Sequence, residues 1–120
     1  MKFMTLVKGR EGQTQPPPAL FGAIAKLGED AAKAGVFVTM GGLMPTSAGA
    51  VARLSKGRIT VTDGPFAETK EVIGGYAIYE TKTKAEALEW TRRFLDIHRQ
   101  HWPEWEGEVE VRQLMEQPAP

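Results

Sequence analysis

Two stretches of helical periodicity stand among short β-prone runs, and a chain built that way has few folds open to it. In residues 19–33, Leu20, Ile24, Leu27 and Ala31 recur at helical spacing, with Lys26, Glu29, Asp30 and Lys33 off the stripe. Gly35 stands where a helix C-terminal glycine belongs. Pro16, Pro17 and Pro18 lead in, since proline fits a first turn but not a helix interior. The second stretch, from residue 84 to about 101, is capped by Thr83 with Glu86 in capping-box register and is stopped by Pro103. Strands are expected over residues 2–8, 36–44 with a bend or bulge at Gly41-Gly42, 72–80 and 108–114. Residues 50–54 and 58–63 flank Ser55-Lys56-Gly57 as a hairpin. In its second strand Ile59, Val61 and Asp63 alternate against Arg58, Thr60 and Thr62, which predicts a half-buried strand. With the strand before Pro45 continuous with its neighbour across that loop, the order β-α-β-β-β-α-β predicts an α+β sandwich, a meander with both helices on one face of a mainly antiparallel sheet.

At 120 residues the chain has room for a single domain, 1–120, with a frayed tail expected after about residue 116. Fifteen basic residues balance fifteen acidic ones. No net field draws in nucleic acid or anionic lipid, and little repulsion keeps copies apart. The absence of cysteine removes disulfides, thiol nucleophiles and cysteine zinc sites. The N-terminal apolar run is too short for a signal peptide or a membrane span, so a cytoplasmic setting is the expectation.

His98 and His101 are the two histidines of the chain. On a helical wheel His98 falls near the middle of the apolar arc of the second helix, and His101 lies one turn on, toward its edge. Histidine moves protons near neutral pH, so one reading is a general acid/base facing a space between helix and sheet. The other is a core histidine bonded to a backbone carbonyl or a tyrosine. Spacing of three residues lets the pair converge on one ion, but no carboxylate ligand accompanies them, and no metal is expected. Asp63 ends its strand on the side of Ile59 and Val61, as a proton-handling partner for His98 or as a cap for the turn that follows. Arg53 and Lys70 are candidates to hold an anion. Tyr76, His101 and Trp102 complete the candidate ligand-binding set, and packing is the other reading of Trp102-Pro103-Glu104-Trp105. Gly41-Gly42 and Gly74-Gly75 match no phosphate-binding pattern.

The run Val61-Thr62-Asp63-Gly64-Pro65-Phe66-Ala67-Glu68-Thr69-Lys70-Glu71, followed by Gly74-Gly75-Tyr76, resembles the signature of the YCII-related, DGPF-motif family. The likeness extends to Ala34-Gly35-Val36, Gly42-Leu43-Met44-Pro45, Glu86-Ala87-Leu88-Glu89-Trp90 and Glu108-Val109-Glu110-Val111-Arg112. It implies a ferredoxin-like fold paired across a homodimer as a dimeric α/β barrel, with a pocket between each sheet and its helices. A histidine–aspartate pair has been proposed for the wider group, its histidine near the start of the first helix. Here residues 16–21 hold no histidine, so that pair does not carry over and any use of His98 or His101 is a different arrangement. Relatives with this motif are associated with extracytoplasmic-function sigma factors, which implies a regulatory context, though this chain has no basic recognition helix. Two functions follow as expectations. One is a homodimeric domain binding a small organic ligand, with lyase- or isomerase-like acid/base chemistry and no redox cofactor. The other is a non-catalytic regulatory or interaction module. His98 and Asp63 on one solvent-connected pocket would favour catalysis.

Overall fold

The computed structural model describes residues 1–66 and 71–116. Along them run β1 (Lys2–Gly9), α1 (Pro18–Lys33), β2 (Phe37–Gly42), a 3-10 turn (Thr46–Ala48), β3 (Ala50–Ser55), β4 (Arg58–Asp63), β5 (Val72–Glu80), α2 (Lys84–His101) and β6 (Gly107–Gln113). Four strands form one antiparallel sheet in the order β2-β5-β1-β6, while β3 and β4 pair as a separate two-stranded sheet. Taken without the hairpin, this is the ferredoxin-like βαββαβ order, with the first and third strands at the centre. The expected meander is thereby corrected, because the hairpin is an insertion between β2 and β5.

Alternation sorts the sheet into two faces. Cross-strand pairs Phe3–Tyr79 and Thr5–Ala77 are buried on the side that receives both helices. There Ala31 of α1 meets Ala77 and Tyr79, with Trp90 of α2 packed beside them. The helices are tied by Arg93, whose Nη2 donates to Asp30 Oδ2 at 2.9 Å and whose guanidinium lies 4.4 Å over the Trp90 ring. The opposite face carries Met4–Ile78 and Leu6–Tyr76 as cross-strand pairs, on the side away from the two helices described.

Local chemistry explains the element ends. Gly35 takes φ +75°, and its N–H and that of Val36 close onto Ala32 and Ala31, ending α1 in the left-handed step that glycine permits. Thr83 Oγ1 accepts from Glu86 N at 3.2 Å, while the Glu86 carboxylate reaches past the cap to Lys82 N rather than to Thr83 N. The β3–β4 turn uses positive φ at Lys56 and Gly57, the pattern of a two-residue hairpin.

Two expectations change here. The irregularity in β2 falls between Phe37 and Thr39, not at the glycines. Gly41 instead makes room for the Tyr76 ring, whose hydroxyl would lie 2.9 Å from a Cβ at that position. All of β4 is exposed, Ile59 at 75% and Val61 at 67%, so its apolar side is not buried within one chain. The described residues have a radius of gyration of 16.3 Å, against about 14 Å for a compact chain of this length.

Candidate functional site

The motif turn after β4 is built around a contact rather than a flexible glycine. A Cβ on Gly64 would lie 1.7 Å from the Thr46 carbonyl oxygen, and Gly64 N donates to Gly49 O at 2.9 Å. Phe66 N donates to Thr46 Oγ1, and the Glu11 carboxylate accepts from Thr46 N and Oγ1 at 2.6 and 2.8 Å. The motif thus anchors Thr46, and Thr46 anchors the loop between β1 and α1.

That loop borders a cavity of about 540 Å³. Its floor is the helix-side face of β1, β5 and β6, with Thr5, Val7, Ala77 and Val109; its walls are α1 and α2. Exposed Phe21, Leu43 and Met44 line the mouth. Two residues on from Glu11, Gln13 exchanges two hydrogen bonds with Glu106, and Trp102 Nε1 donates to Thr14 Oγ1 at 3.0 Å. The loop is pinned on both sides.

His98 forms part of the wall and is 6% exposed. Its Nδ1 lies 3.0 Å from the Phe94 carbonyl oxygen. A carbonyl can only accept, so Nδ1 carries the proton and Nε2 of the neutral ring is left with a lone pair. Nε2 has no hydrogen-bond partner among the described residues, yet no sealed polar side-chain atom there lacks one. Nε2 is therefore not fully sealed, and His98 lines the cavity. Phe94 and Trp105 flank the imidazole with ring centroids at 4.4 and 4.6 Å, and Trp102 at 6.4 Å. Burial among these rings pushes the His98 pKa below its ordinary value, with the Phe94 bond pulling weakly the other way. Burial likewise pushes the Tyr79 hydroxyl up, against the opposing pull of Arg93.

The remaining candidates are scattered. Trp102 lines the cavity. Tyr76 borders it, while its ring lies over Gly41 toward the outer face of the sheet. His101 is half-buried and does not line it. Arg53 and Asp63 are exposed on the hairpin, away from the cavity lining, so one chain does not bring Asp63 to His98. Lys70 lies outside the described residues. Among the described residues no three His, Asp or Glu side chains are grouped to share a metal ion, and no helix is long and apolar enough to cross a membrane. Arg10, Glu11, Gln13 and Thr14 are the site residues the sequence does not signal, for they sit in a loop without periodicity.

An uncharacterised protein of Rhizobium meliloti (strain 1021) is 46% identical to this chain over 50 residues, which is 42% of this chain and 40% of that protein. The chain thus matches less than half the length of this relative. The family model for the YCII-related domain matches residues 1–116, which include every strand and helix described above. This chain belongs to the YCII-related domain family.

Proposed function

We propose that this protein is a homodimeric domain that holds a small organic molecule in the cavity between its sheet and helices, against His98. The observation that carries the reading is the imidazole itself. It is fixed by the Phe94 carbonyl, is held neutral by its aromatic surroundings, and keeps an Nε2 lone pair with no hydrogen-bond partner among the described residues on the cavity wall. A cavity of several hundred Å³ with a mainly apolar wall and few polar groups suits a drug-sized ligand.

What one chain leaves half-buried or exposed supports the dimer. Met4, Leu6, Tyr76 and Ile78 form an apolar strip on the sheet face without helices, edged by the Lys8–Glu110–Arg112 ion pairs. Leu54, Ile59 and Val61 stand exposed on the hairpin. A second copy related by a two-fold axis covers both patches, as the family's dimeric barrel implies.

His98 Nε2 can take a proton from a bound molecule, which is the lyase- or isomerase-like form of this function. A specific observation favours the binding form without turnover: Asp63 does not line the cavity, and both Glu11 oxygens are engaged by Thr46. In that form the ligand is a signal, in keeping with a regulatory role in the cytoplasm. The test is calorimetric titration with naphthalene-sized aromatic probes. Wild type is expected to bind, and Ile24→Trp, which fills the cavity from the α1 wall, is expected to lose at least tenfold in affinity. Equal binding by both proteins would place the ligand elsewhere and end this reading.

A further inference from the structure

The charges around the cavity restrict what it can accept. Arg10 and Glu11 are exposed in the pinned loop, and the Glu11 carboxylate is already held by Thr46. Deeper in, the titratable groups are Tyr79, stacked on Trp90 with ring centroids 6.1 Å apart, and His98, both neutral near pH 7. A carboxylate, phosphate or ammonium group carried to that depth would lose its water and find no countercharge. The part of the occupant that reaches this depth is therefore uncharged.

At His98 itself the hydrogen-bond polarity is set. Nδ1 of His98 spends its proton on the Phe94 carbonyl, so Nε2 can only accept. Thr5 and Thr91 donate their hydroxyl protons to the Ala77 and Ala87 carbonyls, and Trp102 donates to Thr14. The Trp105 indole N–H and the Tyr79 hydroxyl are without partners among the described residues, but at the imidazole the free function is an acceptor. It calls for an O–H on the ligand. Phe94 and Trp105, each tilted 47° to the imidazole, offer ring faces and edges on either side of it, against which a flat apolar molecule packs well.

We propose that the cavity selects a neutral, flat, largely apolar molecule bearing a phenolic or enolic hydroxyl, which donates its hydrogen bond to His98 Nε2. This rests on the reading of the cavity as a small-molecule site, and it adds the chemical class of the ligand. Three probes of one shape separate the two claims: 1-naphthol, its methyl ether, and 1-naphthoate, each titrated calorimetrically into the full chain at pH 7.5. The hydroxyl is expected to bind about tenfold more tightly than the ether, the scale of one neutral hydrogen bond, and the carboxylate to show no measurable binding.

In His98→Phe, which keeps an aromatic ring but removes Nε2, naphthol is expected to fall to the affinity of the ether while the ether is unchanged. Should that variant fail to fold, the ranking of the three probes on wild type decides the matter. An ether as tight as the naphthol, or a carboxylate tighter than both, overturns the ligand class and leaves the cavity reading standing. No binding by any of the three overturns both.

Discussion

Phe3→Ala is expected to lower the unfolding free energy by about 3–5 kcal/mol, a large fraction of what holds a chain of this size together. Phe3 is 1% exposed and faces Tyr79 across the central strand pair, on the side roofed by the helices. The truncation removes a whole ring from a close-packed layer, and the strands cannot close the gap without giving up their register. The measurement is chemical denaturation at one fixed protein concentration, because assembly contributes to apparent stability. A loss under about 1 kcal/mol would mean that the helix-side layer is not the core.

Ile78→Lys, one residue from the core Tyr79, is expected to act on a different property. Ile78 points to the uncovered face and pairs with Met4 and Thr39, neither of which is charged. In an isolated chain the lysine can reach water. In a two-fold dimer two ammonium groups would be buried at the interface, each paying several kcal/mol of desolvation. The dimer dissociation constant should rise about a hundredfold or more, or about 3 kcal/mol, with little change in the far-UV spectrum. Sedimentation equilibrium reads it directly. Wild type that sediments as a monomer at high concentration, or a variant that dimerises as well as wild type, would remove the sheet-face dimer.

These two variants also mark what the sequence could and could not disclose. Periodicity reports which residues share a face, and on that basis both helices and every strand of the sheet were legible, as was the inward position of His98. It does not report what covers a face. Ile59, Val61 and Asp63 do share a side of β4, but the hairpin forms its own sheet, and nothing among the described residues covers that side. The expected meeting of Asp63 with His98 depended on that missing cover.

Gly41-Gly42 reads as a bulge because glycine often marks one, whereas the close approach of Tyr76 takes up the room at Gly41 and the register shift falls at Val38. The loop of residues 10–17 is a further case. Its role over the cavity comes from long-range bonds between Glu11 and Thr46 and between Gln13 and Glu106, partners far apart in the sequence. No local pattern encodes such pairings.

The state of one imidazole carries the functional account. Because burial disfavours the charged ring, the stability contributed by neutral His98 is complete above its unfolded pKa of about 6.5 and is lost as pH falls from there to the lower folded value. Long-range nitrogen–proton correlation spectra across a pH series, with His101→Gln to assign the signals, report which nitrogen bears the proton. The expected spectrum shows Nδ1 protonated and Nε2 bare at neutral pH, with proton uptake only below about pH 6.5. A proton on Nε2 of the neutral ring, or a ring that charges at or above that pH, would mean that the cavity meets a donor and not an acceptor.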